Sequence, residues 1–335
     1  MAEHIMGIEI GSSNIKIIEV SKKAATLTVH KFSVINTPAD CINNGVISNV
    51  QAIKKVIAQE LSERKYRARK VVSVIQSNGI IIRNAVMGKQ PEKLIKELLE
   101  VKTEEYLPVE RGQYQIDFKI IRQFEEDGVE KYELLLVAAP NSVVLPVANL
   151  LKSLKLAPIM LTIPSEALSN VFGSQRRLVY EAAPNVLVLD IGGNSTTATI
   201  ISDSQAVLTR SIEFGVESIN SALNDVAANK SLLDKEVSDD RISDLIRPQI
   251  EYNIISEIER ILQFYFSNFN NGSIKKIYLV GGGASIKGMR TYIRDALNIP
   301  TEKLNEFSTV VEAPNVEFEP YRRFFVNILG AINGL

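Results

Sequence analysis

The sequence predicts an α/β protein of two related lobes, with a smaller α+β unit inserted in the first. Three observations carry that prediction. The run IEIGSSNIKII at 8–18 returns in changed form as LDIGGNSTTATII at 189–201, so a strand–glycine turn–strand hairpin opens each half of the chain. The apolar strand at 274–280 runs straight into GGGAS at 281–285 and a helical pattern. Between the hairpins, residues 88–157 read as helix, strand, strand, helix without any glycine-rich loop.

Each hairpin pairs an acidic residue near the end of its first strand, Glu9 or Asp190, with a turn of glycine and small polar residues. The turns are Gly11, Ser12, Ser13 and Asn14 in one copy and Gly192, Gly193, Asn194 and Ser195 in the other. Glycine serves there where the backbone takes positive φ or something approaches closely, and successive backbone N–H groups form an anion-binding nest. A lone glycine turn between strands is ordinarily just a turn. Two copies heading two halves imply lobes that face each other, each offering a hairpin and a carboxylate to a shared ligand. Gly281, Gly282, Gly283 and Ala284, with Lys287 beyond, add a strand–turn–helix junction, where bare backbone admits a ring or a phosphate and the helix start favours negative charge.

Composition narrows the function. A chain of 335 residues, 45% hydrophobic and 23% charged, has about two domains' worth of core. A net charge of −1 without a basic stripe argues against a nucleic-acid footprint. The single Cys41 and the lack of a signal-peptide pattern point to a reducing cytoplasm. Only His4 and His30 are available to a structural zinc site, and no apolar run reaches the roughly 20 residues of a membrane span, so direct membrane insertion is not expected.

In chain order, a third β run at 26–35 completes a three-stranded antiparallel start, and TPADCINNG is a loop broken by Pro38 and Asn44-Gly45. Val50, Ile53, Ile57 and Leu61 recur at helical spacing, and VVSVI at 71–75 is a buried strand. A strand at 79–86 precedes the inserted piece. That piece comprises a helix over 91–106, strands at 114–121 and 132–138 joined by the acidic loop FEEDGVEK, and a helix over 141–154. A short helix at 164–172 carries Glu166 back to the core. After the second hairpin come a strand at 206–214, a helix at 217–228, a charged irregular stretch, and a long helix marked by Ile250, Ile254, Ile258, Ile261 and Tyr265. An apolar helix at 321–335, opening with Arg322 and Arg323, closes the chain. The expected domains are therefore 1–87 with a return at 158–184, the insert at 88–157, a second domain at 185–315 with a helical part near 215–270, and a C-terminal helix at 316–335 packing on the first.

Two acidic glycine hairpins followed by strand–GGGAS resemble the two phosphate motifs and the adenosine motif of the actin-like ATPase superfamily, whose fold is the two-domain actin-like, ribonuclease H-like one. The resemblance implies that the hairpins grip the phosphates of ATP from opposite sides, that Lys16 is directed at them, and that Glu9 and Asp190 serve a Mg ion. It also implies that Asp190 acts in catalysis and that Glu166 orients a water. The insert resembles that of the cell-division protein FtsA and of the type IV pilus assembly protein family PilM. NNGVISNVQAIKKVI, VVSVIQSNGIIIRNAVM, EEYLPV, LLLVAAPNSVV and FFVNILGAINGL are similar to PilM in particular and are spread along the chain from residue 43 to residue 335. Membership would imply a cytoplasmic ATP-binding adaptor at the inner face of the membrane. Its groove beside the insert would take the cytoplasmic N-terminal tail of a PilN-like inner-membrane protein.

Two departures from the superfamily stand out. Its first hairpin ordinarily begins Asp-Ile-Gly; Glu9 moves the carboxylate by roughly an ångström, enough to alter the seating of a metal-bound water. Where relatives carry Ala-Glu-x-x-Lys near the nucleoside, this chain has AANKSLLDKE at 227–236, with Lys230 or Lys235 as substitutes. Any turnover is expected to be slow. The readings left open are a filament former of FtsA type with a membrane-seeking C-terminal helix, self-association into homo-oligomers, and a small-molecule kinase. The kinase is opposed by the lack of a second acid–base constellation for a phosphoryl acceptor.

Overall fold

The computed structural model describes residues 3–176, 184–223, 247–269, 272–307 and 309–335. Its two large sheets are built on one plan. In the first, Thr26–Asn36, Asn14–Lys23 and Glu3–Ile10 run antiparallel, and Lys70–Val74 and Ala157–Thr162 are added in parallel. In the second, Gln205–Ile212, Thr196–Ser202 and Val186–Ile191 are antiparallel, and Lys276–Val280 and Thr301–Lys303 follow in parallel. The repeated hairpin is thus the first step of a repeated fold. The last segment of the second half returns, because Val310–Glu312 pairs with the outer strand of the first sheet.

Alternation sets which face each strand buries. On one face of the first sheet Met6, Ile8, Ile15 and Ile17 meet Ile53, Ile57 and Leu61 of the helix Val50–Glu63, whose N-terminus Asn49 caps by accepting from the Ala52 N–H. On the other, Ile5, Ile18 and Val20 join Val186, Val188 and Ile201 of the second sheet in one core, filled by Phe318, Phe325, Ile328, Leu329 and Ile332. The C-terminal segment is therefore a wedge between the lobes. It is a 3-10 turn, Glu319–Phe324, followed by the helix Val326–Asn333, rather than the single helix expected over 321–335. Every residue of that helix from Val326 to Ile332 is buried, which removes the surface that a membrane-seeking helix would need.

Several expected boundaries shift. A separate three-stranded sheet is made of Ile81–Gly88, Val129–Pro140 and Tyr114–Glu126, with its own core around Ile95, Leu99, Leu134 and Leu136. It takes in the strand before residue 88. It leaves out the helix Asn141–Ser153, whose Val143, Val147, Leu150 and Leu151 pack into the first lobe. FEEDGVEK is mostly strand: the ladder continues to Glu126 and Val129 around a two-residue turn with both Asp127 and Gly128 at positive φ. The strand Ala157–Thr162 is not expected from the sequence, because it is an edge strand with a register shift between Pro158 and Met160 and no clear alternation. After Gly281 a 3-10 turn, Gly282–Ser285, delays the next helix to Met289–Leu297. The stretch 227–236, with Lys230 and Lys235, lies outside the described residues. Among the described residues no helix is long and apolar enough to cross a membrane.

Candidate functional site

The two glycine turns close in the same way: the Gly11 N–H donates to Asn14 O at 3.0 Å and the Gly192 N–H to Ser195 O at 2.9 Å. A Cβ on Gly11 would stand 2.9 Å from Asn14 O and one on Gly192 would stand 3.0 Å from Ser195 O. Neither glycine takes positive φ, so close approach is what requires them. Thr37 steadies the first turn, its hydroxyl donating to Gly11 O and its N–H to Ser13 O. The start of the helix Val216–Leu223 steadies the second, with the Val216 and Glu217 N–H groups on Gly192 O and Gly193 O.

The tips meet. A Cβ on Gly193 would lie 1.9 Å from Ser13 Oγ, and that hydroxyl donates across the cleft to Glu217. Among the other bonds that join the lobes are Gln76 Nε2 to Thr197 Oγ1 at 2.5 Å and Asn78 Nδ2 to Glu213 Oε1 at 3.0 Å. Behind these contacts lies a cavity of about 170 Å³, smaller than the roughly 300–1,000 Å³ of small-molecule sites. It is lined by Glu9, Gly11, Ser12, Ser13, Asn14, Lys16, Asp190, Gly192, Gly193, Asn194, Ser195, Gly281 and Gly282, all expected from the sequence.

Charge is concentrated at its floor. Lys16 Nζ bonds Glu9 Oε1 at 2.5 Å, with both side chains about 85% removed from solvent. Burial pushes the Glu9 carboxyl above its usual range, against the pull of Lys16, and the charge of Asp190 adds to the rise. Burial acts to lower Lys16, yet Glu9 and Asp190 together hold the ammonium above its ordinary value. Glu9 Oε2 is buried without a hydrogen-bond partner. Two oxygen donors on opposite lobes are the set that Mg²⁺ takes alongside phosphates and water, so the residues fit that ion. Among the described residues no three His, Cys, Asp or Glu gather at one point.

The structure does not bring every expected residue to this cleft. Glu166 is paired with Lys119 of the small sheet at 2.7 Å and is not among the lining residues, because the helix Pro164–Arg176 that carries it faces the insert there. Gly283 and Ala284 turn inward against the second core, where a Cβ on Gly283 would stand 2.1 Å from Ile191 Cγ2. Lys287 also lies off the lining. Conversely, Asn44, Gly45, Gln76, Ser77, Asn78 and Phe324 line the cavity without having been singled out for it. Asn44-Gly45 carried a turn signal, and both residues take positive φ; the others are placed by tertiary packing.

A family model described as Type IV pilus assembly protein PilM matches residues 7–332. Among solved structures, a PilM-PilN type IV pilus biogenesis complex is 25% identical, covers 98% of each chain and superposes with a TM-score of 0.83. The ethanolamine utilization protein EutJ from Carboxydothermus hydrogenoformans shares the fold at 11% identity and a TM-score of 0.55, covering 98% of this chain and 89% of its own. The fold is the two-lobed actin-like α/β fold expected from the sequence. The chain belongs to the type IV pilus assembly protein family PilM.

Proposed function

We propose that the protein is a nucleotide-binding adaptor of the pilus assembly machinery, in which MgATP between the glycine hairpins sets how the chain holds the cytoplasmic tail of a PilN-like membrane protein. The observation that carries this reading is the convergence of two identically closed turns from opposite lobes on Glu9, Lys16 and Asp190. Backbone turns and Lys16 would supply the phosphate contacts, and Glu9 and Asp190 would hold a Mg²⁺ ion that offsets the charge of the phosphates. The touching tips and small cavity mean that nucleotide enters with a parting of the lobes. Nucleotide then shifts the arrangement by as much as it prefers one state over the other.

For the tail, the reading rests on the likeness to a PilM-PilN complex and on a second groove of about 590 Å³ between the helices Val50–Glu63 and Asn141–Ser153. Leu145 and Pro146 form its apolar wall, with Lys54 and Asn149 at its edge. Such a tail would keep the chain at the inner face of the cytoplasmic membrane.

Calorimetric titration with MgATP, alone and with a synthetic PilN-like tail peptide, tests both halves. The expected results are saturable binding and a change in tail affinity with nucleotide. Gly11→Val combined with Gly192→Val should abolish nucleotide binding, and unaltered affinity in that variant would refute the site.

A further inference from the structure

We infer that Asn327, on the C-terminal helix, is a positioning residue for the Asp190 carboxylate and, on the reading that the cleft takes a Mg-bearing nucleotide, sets the cation-dependent part of that binding. Asn327 is 4% exposed and Asp190 is 8% exposed. Asn327 Nδ2 donates to Asp190 Oδ2 at 2.7 Å. The contact fixes the amide orientation, since the reverse would set two acceptors against each other.

Three constraints then leave the carboxylate one pose. Its backbone is locked between Thr197 in the antiparallel ladder and Val280 in the parallel one. Oδ2 is tethered to Asn327. Oδ1 lies where a Cβ on Gly281 would be 2.4 Å away, so glycine there lets the third loop close over it. Oδ1 is thus the oxygen left to meet a cation's water at the cavity floor.

The tether has a rigid root. A Cβ on Gly330 would stand 2.1 Å from Ala167 O, and one on Gly7 would stand 2.0 Å from Ile328 Cγ2, so the C-terminal helix is pressed onto both its neighbours in the first lobe. Asp190 belongs to the second lobe, and the bond therefore crosses between them. Asn327 Oδ1 is buried and has no hydrogen-bond partner among the described residues. A leucine of similar size would suit this apolar helix better than a half-paired amide; what Asn327 supplies is the donor to Asp190.

The test is titration of four chains, wild type, Asn327→Leu, Asp190→Asn and the double variant, with ATP in Mg²⁺ and with ATP in EDTA. The readout is the ratio of the two affinities. Wild type should bind tenfold or more tightly with Mg²⁺, Asn327→Leu should bring that ratio close to one, and in the Asp190→Asn background it should change nothing further. A preserved ratio in Asn327→Leu, an equal loss in both buffers, or an effect undiminished beside Asp190→Asn would each overturn the inference. Wild type that binds ATP in neither buffer overturns the nucleotide reading itself and this inference with it. Should Asn327→Leu fail to fold, Asn327→Ala carries the same comparison.

Discussion

Ser13 and Glu217 stand on opposite lobes, 204 residues apart, and the serine hydroxyl donates to the glutamate carboxylate across the mouth of the cleft. The carboxylate sits in the first turn of the helix Val216–Leu223, where the helix dipole favours it, and beside the turns that would receive phosphate. Glu217→Gln keeps an acceptor for Ser13 and removes a like charge from the path of a polyanion. One partly screened charge is worth on the order of 1 kcal/mol, so MgATP should bind about fivefold more tightly. Weaker binding in calorimetry would instead make Glu217 part of the ligand's grip.

The buried pair Lys16 and Glu9 predicts a pH signature. A carboxyl raised above its ordinary 4.5 stabilises the fold while protonated, and that contribution is lost as pH climbs through the folded value. Lys16 offsets the cost of ionised Glu9, and its own contribution persists until pH exceeds its raised folded value. Lys16→Met leaves Glu9 and Asp190 facing each other, at a cost of about 3 kcal/mol near neutral pH. The gap in melting temperature between wild type and variant should widen from pH 4 to pH 8. A gap independent of pH would show that the ion pair carries little of the charge balance.

Gly193 and Gly215 separate a movable contact from a fixed one. On Gly193 a Cβ would meet the Ser12 and Ser13 hydroxyls and Ser13 Cβ, all on the other lobe and relieved as the lobes part; on Gly215 it would stand 2.3 Å from the Gly193 carbonyl, which is backbone of the same lobe. Gly193→Ala should melt within about 1 kcal/mol of wild type yet bind nucleotide several-fold differently, because the tips no longer touch. Gly215→Ala should lose about 2–3 kcal/mol by overpacking. Equal melting temperatures for the two variants, measured by thermal denaturation, would contradict the distinction.

What was legible in the sequence followed from local chemistry. Both hairpins, the strand before Gly281 and the helix through Ile53 and Ile57 carry period and glycine signals strong enough to bring Glu9 and Asp190 to one site, whereas Lys16 is expected there only from the resemblance to the actin-like superfamily. The rest depends on what packs beside each element. Gln76 and Asn78 follow an ordinary buried strand and reach the cleft only because the second lobe arrives with Thr197 and Glu213. Asn327 lies inside an apolar run whose pattern announces burial, and nothing local indicates that a carboxylate from the other half waits there. Lys276–Val280 and the turn after it were readable, whereas the inward facing of Gly283 follows from Ile191, on a distant strand.

Glu166 and Lys119 give the sharpest separation between the expected site and the observed one. Their 2.7 Å ion pair joins the small sheet to the helix Pro164–Arg176, with side chains 27% and 39% exposed. An exposed pair contributes only about 0–1 kcal/mol, so Glu166→Ala should alter stability little. Because Glu166 does not line the cavity, nucleotide affinity and any turnover should stay within about twofold of wild type. Loss of the bridge should instead speed hydrogen exchange along Tyr114–Glu126, since the small sheet loses a tie to the first lobe. The charge-reversed pair Lys119→Glu with Glu166→Lys should restore protection. A tenfold fall in turnover with exchange unchanged would return Glu166 to the chemistry of the cleft, through a lobe movement that brings its helix to the phosphates.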